Sequence, residues 1–215
     1  MTRAVATCVS HPIFARFYGR WAAGAEKAGA AEHRRKLLAG LTGKVIEVGA
    51  GNGLNFGYYP TTVTQLIAIE PEPRLRRQAA VGAAGAAIPI TVEDGTADRL
   101  PSAEAEFDAG VVSLVLCSVP DQATALAELY RVIRPGGELH YYEHVRSDRP
   151  KYARFQDRAD LVWPLFAGGC HPNRATEAAI QRGGFEVEEH HTLLFQPCFL
   201  AKPVAPHVIG RARRS

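Results

Sequence analysis

The stretch KVIEVGAGNGLNFGYYP, residues 44–60, constrains this chain more than any other. An apolar run around Val45, Ile46 and Val48 meets glycines at alternate positions, Gly49, Gly51 and Gly53. Glycine enters positive φ without steric cost, and its missing Cβ lets a ligand lie against the backbone. A strand that ends in such a turn makes a nucleotide pocket at the carboxyl edge of an α/β sheet. A dinucleotide-binding turn is spaced G-x-G-x-x-G, which would put its last glycine at position 54. That position holds Leu54. The observed G-x-G-x-G spacing, preceded by Glu47, predicts a strand-to-helix turn lined mainly by backbone and suited to a ligand without phosphates.

The segments KVIEV, TQLIAIE, AIPITVED, FDAGVVSLVL and GELHYYEHV each read as a buried strand. Helical patterns such as PRLRRQAAVGAAGA and DQATALAELYRVI lie between them. Strand alternating with helix predicts an α/β fold, a parallel sheet with helices on both faces. Residues 11–41 read as helical, with Phe14, Phe17, Tyr18 and Trp21 on one face and Pro12 in a first turn. Asp121 is placed to cap the helix that runs through Ile133. KYARFQDRADLVWPLF reads as one helix ending at Trp163-Pro164, and NRATEAAIQRGG as another with Asn173 as its cap. FEVEEHHTLLF and PHVIGRARR read as strands joined by a long connection. The second strand, TQLIAIE, ends in Glu70, where a carboxylate can accept two hydroxyl donors of a ribose. The plainer alternative is that Glu70 caps the helix after Pro71.

The chain has 215 residues, 47% of them hydrophobic, as expected for one globular domain. Its formal charge is +3, with the basic excess in EHRRKLL and GRARRS. These read as a solvated helix face and a frayed tail, and no basic stripe interleaved with aromatics points to nucleic acid. Cys8, Cys117, Cys170 and Cys198 form no CxxC pair and fit no zinc spacing, so no metal centre is expected. His11, Arg16 and Arg20 interrupt any signal-peptide core, and no apolar run approaches the roughly 20 residues that span a bilayer. A cytoplasmic protein with reduced thiols is expected.

The ordered set EVGAGNG, AIEP, EDGTADRLP, FDAGVVSLVL and RVIRPGGELHYYEH, covering about residues 40–145, resembles class I S-adenosylmethionine-dependent methyltransferases. The resemblance implies a Rossmann-like seven-stranded sheet, mostly parallel with a reversed last strand. It implies a helical lid over residues 1–40 and a catalytic domain over 41–215, in one domain overall. S-adenosylmethionine is the implied cofactor. Glu47, Gly49, Ala50, Gly51, Gly53 and Asn55 would line its methionine and ribose part. Glu70 and Pro71 would hold the ribose, and Gly95, Thr96 and Ala97 would lie beside the adenine. Many relatives carry an aspartate where Thr96 stands, so Asp94 or Asp98 would take the adenine amino group. Ser113 and Leu114 would face the cofactor and the substrate entrance.

SLVLCSV, IRPGG, EHV, FAGGC and PHVIG resemble a narrower group, the methyltransferase-like thiol S-methyltransferases. That likeness runs past the cofactor half through Gln156, Asp160, Trp163, Cys170 and His207. It departs at the N-terminus, where HPIFARFYGRWAAGAEKAG stands in place of a hydrophobic anchor. The implied acceptor is a small hydrophobic thiol. Methylation at N, O or C of a lipid-like or natural-product acceptor is the alternative, and a non-catalytic nucleotide-binding protein is a reading from a different class. Methyl transfer from a sulfonium needs alignment above all, and positioning can supply about 7–11 kcal/mol. Glu143 and His144, just beyond the fifth strand, are the candidate catalytic residues, because an imidazole accepts a proton near neutrality. His171, in the glycine-rich loop GGCHPN, reads as a structural loop residue or a pocket-wall candidate, and Cys117 as a residue of the pocket wall or the core. Phe14, Phe17, Tyr18 and Trp21 read most simply as a helix face packed on the domain, with Phe14, Tyr18 and Trp21 candidates for an apolar substrate wall and Phe155, Trp163 and Phe166 for the wall opposite. His207 reads as lying near the far edge of the sheet, with the substrate side still within its reach, and His190 and His191 as surface residues.

Overall fold

The computed structural model describes residues 12–215, with side chains from Ala15 onward. Among the described residues, seven strands form one sheet in the order β3-β2-β1-β4-β5-β7-β6. These are β1 (Gly43–Val48), β2 (Val63–Ile69), β3 (Ile90–Glu93), β4 (Phe107–Ser113), β5 (Ile133–His144), β6 (Phe185–Leu194) and β7 (Pro206–Arg214). β1 pairs parallel with β2 and β4, β2 with β3, and β4 with β5. β7 alone runs against its neighbours, antiparallel to both β5 and β6. This is the expected mostly parallel sheet with a reversed last strand.

The strands alternate sides because their side chains do. Val45 joins a core on one face with Leu37, Leu38, Leu66 and Ala79. Ile46 and Val48 join a core on the other with Leu126, Leu129, Ile133 and Ile180. α2 (Ala31–Leu38) and α3 (Pro73–Ala83) cover the first face, and α4 (Gln122–Val132) and α7 (Thr176–Arg182) the second. α1 (Pro12–Ala25) reaches α2 through a π-helical turn, Glu26–Ala30, in which Gly29 takes φ +115°. No helix among the described residues is long and apolar enough to cross a membrane.

The parallel register positions the site. Val48 stands opposite Ile69 and Val112, and Ser113 opposite Tyr142. The residues that follow, Gly49, Glu70, Leu114 and Glu143-His144, therefore emerge together at the carboxyl edge.

Several elements differ from the sequence expectation. The glycine turn leads into a single 3-10 turn, Phe56–Tyr58, and the next α-helix is α3. The expected helix after Lys151 breaks into α5 (Pro150–Ala159) and α6 (Trp163–Phe166), so Trp163-Pro164 opens a helix where it was expected to close one. Proline suits the first turn of a helix, where its missing N–H is not needed. Asp121 does cap α4, accepting from Ala123 N–H at 3.0 Å. Asn173 instead donates to Asp157 at 3.1 Å, and α7 begins at Thr176 without a side-chain cap. GRARRS is no frayed tail. β7 runs through Arg214, and Arg211 and Arg213 pair with Glu138, Glu188 and Glu189. His190 and His191 are exposed, with His190 3.3 Å from Glu177.

The glycine of PHVIG has a packing reason. Gly210 lies opposite Tyr141, which is fully buried, and a Cβ there would meet the Tyr141 ring and lie 2.5 Å from the Glu189 carbonyl oxygen. Gly210→Ala is therefore expected to lower stability by about 1–3 kcal/mol, the range for overpacking a core. Urea denaturation measures it, and an unchanged midpoint would mean that the Tyr141 ring and the Glu189 backbone both give way freely.

Candidate active site

The carboxyl ends of the central strands open into a cavity of about 890 Å³, a volume typical of small-molecule sites. Its walls come from the strand ends, from α1 and α2, from the segment 163–170 and from the connection between β6 and β7.

At the tip of β1, Gly49, Gly51 and Gly53 take φ of +73°, +60° and +82°, where a side chain would be strained. The N–H groups of Gly49 and Ala50 both donate to the Ile69 carbonyl, at 2.8 and 3.0 Å, which ties the turn to β2. A Cβ on Gly49 would strike Val115 at 2.5 Å. One on Gly53 would strike the Phe56 ring at 2.7 Å, with the Ala79 backbone at 3.3 Å, and one on Gly51 would crowd the Tyr18 hydroxyl at 3.2 Å. Gly49 and Gly51 line the cavity, whereas Gly53 and Ala50 pack beneath it.

Two buried carboxylates flank this turn. Glu70, at the end of β2, lines the cavity; its Oε2 accepts from Gly51 N–H at 2.7 Å and its Oε1 from Glu72 N–H at 2.8 Å. Burial pushes its pKa up to about 7 against those two hydrogen bonds. The cap of α3 is Glu72, not Glu70. Glu47 accepts from Asn55 Nδ2 at 2.6 Å and from the Tyr59 hydroxyl at 2.9 Å, and burial pushes it likewise to about 7. Neither Glu47 nor Asn55 reaches the cavity; both brace the turn from below. Asn55 Oδ1 accepts from Arg34 at 2.6 Å, and Arg34 pairs with Glu26 at 2.7 Å. Arg34 lines the cavity and is only 8% exposed, so part of the basic run EHRRKLL is buried after all. Helical spacing marks it out from Arg35 and Lys36, since Arg34 shares one face of α2 with the buried Ala30, Leu37 and Leu38.

Pro71, Gly95, Thr96, Ala97 and Asp98 continue the wall. Asp94 does not, being exposed and paired with Arg76 at 2.9 Å. Ser113 and Leu114 follow at the end of β4. Leu114 holds φ +61°, uncommon for leucine, while its N–H donates to Tyr142 O at 2.7 Å. From α1, Tyr18 and Trp21 face the cavity, and burial raises the Tyr18 pKa. Phe17 is not in the wall, and the Phe14 side chain lies outside the described residues. Trp163 and Phe166 line the far side, whereas Phe155 packs instead against Tyr152 and Lys202.

Three of the candidate residues at this end lie off the cavity wall, which corrects the catalytic role expected of Glu143 and leaves His171 and Cys117 with their structural readings. Glu143 is fully buried off the cavity, its carboxylate accepting the N–H groups of Val115, Leu116 and Cys117 at 2.9, 2.9 and 3.0 Å. It holds the loop and lies outside the cavity wall. His171 is held by Asp160, with Nδ1 at 2.8 Å from Oδ1, and it is Cys170 from the same loop that lines the cavity. Cys117 is buried behind that wall. His144 does line it, with Nδ1 3.4 Å from Cys117 Sγ and 3.2 Å from Cys170 Sγ. The donor atoms of Cys117, His144 and Cys170 all lie within 4.8 Å of one another, a grouping that sequence spacing alone did not predict. A hydrogen bond from Cys117, and then His144, holds the Cys170 thiol well below its usual pKa, while burial pushes Cys117 well up. His207 also lines the cavity, because β7 lies next to β5 and not at the sheet's edge. Its ring stacks on Tyr142 at 5.1 Å and meets His144 edge-on at 4.6 Å.

The Glu47 carboxyl predicts a pH dependence. An unfolded glutamate titrates near 4.5 and this one near 7, so between those values the folded chain binds the extra proton. Its contribution is present below about 4.5 and falls by up to about 3 kcal/mol as pH rises through about 7. Glu47→Gln has no such titration. Its stability relative to wild type is expected to improve by that amount between pH 4.5 and 7.5 in urea denaturation, and a flat difference would give Glu47 an ordinary pKa.

The Methyltransferase domain family matches residues 46–141. Thiol S-methyltransferase TMT1B of Mus musculus is 33% identical over 82% of this chain and 74% of its own length. Human thiol S-methyltransferase TMT1A is 32% identical over 81% and 73%. Among solved structures, an S-adenosylmethionine-dependent methyltransferase from Thermotoga maritima, described as a possible histamine N-methyltransferase, superposes with a TM-score of 0.69 at 25% identity, covering 94% of this chain and 98% of that one. The left-handed glycine turn, the Glu70 carboxylate beside it and a cavity of this size fit S-adenosylmethionine. The chain belongs to the S-adenosylmethionine-dependent methyltransferases, in the family that includes the thiol S-methyltransferases TMT1A and TMT1B.

Proposed function

We propose that the protein methylates the sulfur of a small hydrophobic thiol. The observation that carries this reading is one largely apolar cavity that joins Gly51 and Glu70 to Trp163, Phe166 and Cys170. Likeness to named thiol S-methyltransferases over most of the chain supports it. S-adenosylmethionine, when bound, supplies a methyl group on a positively charged sulfur.

The residues divide the work as follows. The backbone of Gly49 and Gly51 lets the cofactor lie close. A carboxylate has about four acceptor positions; Glu70 uses two on backbone N–H groups and keeps two for the ribose hydroxyls. Asp98 takes the adenine amino group, since Asp94 is engaged by Arg76. Arg34, held beneath the turn by Asn55, supplies a cation for the carboxylate of the methionine part. Glu47, Ala50, Gly53 and Asn55 position the turn without touching the ligand. Tyr18 and Trp21 cover the cavity, so the helices before residue 40 act as its lid. A free thiol has a pKa near 8.5 and attacks as its anion. His144, on the wall beside Cys170, faces the space in which the acceptor thiol must give up its proton.

Two measurements test this. Glu70→Ala is expected to weaken S-adenosylmethionine binding by about 1–3 kcal/mol, roughly 5- to 150-fold in Kd, by calorimetry; unchanged affinity would remove Glu70 from the site. In a panel of small thiols, phenols and amines with labelled methyl donor, hydrophobic thiols are expected to turn over and the others to stay at background. Turnover of phenols or amines without thiols would overturn the acceptor.

A further inference from the structure

We propose that Cys117, His144 and Cys170 form a three-ligand zinc site whose fourth position opens into the cavity. The ligands come from three separate places: the loop after β4, the end of β5 and the loop after α6. In a tetrahedral zinc site, bonds of about 2.3 Å to sulfur and 2.0–2.1 Å to nitrogen set sulfur and nitrogen about 3.5 Å apart. His144 Nδ1 already stands 3.2 and 3.4 Å from the two sulfurs. Two thiolates and a neutral imidazole balance a doubly charged cation and suit a borderline-soft one.

The surroundings hold the donors in place. Cys117 is fixed at both ends of its peptide, its N–H to Glu143 at 3.0 Å and its carbonyl from His171 N–H at 2.7 Å. Cys170 N–H donates to Ala167 O at 3.1 Å. The Trp163 indole packs on this cluster, and its buried N–H is directed at the Cys170 sulfur. A metal-bound thiolate accepts such a hydrogen bond, and partners of this kind orient metal ligands. His144 and Cys170 line the cavity, whereas Cys117 lies behind, so the vacant fourth direction faces the ligand space. Three protein ligands with one open position is the pattern of a reactive zinc centre.

Resting on the thiol reading, a thiol entering that position would coordinate sulfur to zinc as a thiolate and release its proton to solvent. Coordination then lowers the acceptor's pKa, and His144 acts as ligand, not as base.

The full chain, reduced and stripped by chelator, is titrated with zinc against a chromophoric competitor, and with cobalt read by absorption. Expected are one equivalent of metal and thiolate-to-cobalt charge transfer, lost in Cys170→Ser, weakened at least tenfold in His144→Ala, and kept when Cys8 and Cys198 are both replaced by serine. The wild-type cobalt spectrum decides the matter even where a variant fails to fold. No bound metal, a spectrum without sulfur charge transfer, or full binding by the Cys117→Ser/Cys170→Ser pair overturns the site. Adding a hydrophobic thiol to the cobalt protein is expected to shift the spectrum; no shift overturns the open fourth position. Metal binding without thiol turnover would sink the acceptor and leave the site, while thiol turnover by metal-free protein would leave the acceptor and sink coordination.

Discussion

A buried carboxylate without partners is among the costliest groups a fold can hold. Glu143 is fully buried and escapes that cost because three consecutive backbone N–H groups of the loop after β4 satisfy it. Burial raises its pKa, and those three hydrogen bonds oppose the rise. Much of the site follows from this contact. It sets the path of residues 115–117, brings Cys117 behind His144, and places Val115 where only a glycine at position 49 leaves room. Loop and glycine turn are thus fitted to each other through one side chain on β5.

The turn itself is fitted to the helices before the sheet. Glu26, Arg34, Asn55, Glu47 and Tyr59 form a continuous polar chain from the π-helical turn to the floor under Gly51. Charge-assisted hydrogen bonds of this kind are short and directional. The N-terminal helices are therefore coupled to the backbone that faces the ligand, and not simply laid on top of it.

The sequence made the sheet legible because parallel strands buried on both faces read as short apolar runs, and KVIEV and TQLIAIE are such runs. It also made Gly49, Gly51 and Glu70 legible, since a turn and the next strand end carry local signals. It misjudged residues whose position depends on distant packing. Glu143 and His144 are adjacent, yet alternation sends one into the core and the other into the cavity. Arg34 shares the buried face of α2 with Leu37 and Leu38, but that this face meets the glycine turn is set by tertiary packing, and His207 reaches the site only because β7 inserts between β5 and β6. Cys117 and Cys170 are 53 positions apart and share no motif, so their meeting with His144 belongs to tertiary structure alone.

The β6–β7 connection lends the cavity Phe195, Pro197, Cys198, Leu200, Ala201 and Val204, while contributing nothing to the glycine turn or to Glu70. On the proposed reading, that part of the acceptor wall and the donor-binding turn come from different stretches of chain. Exchanging residues 195–204 between homologues would retune which guests are admitted while the machinery at the sheet's edge stays as it is, a modularity that would let lineages diversify their chemistry by editing one surface ribbon.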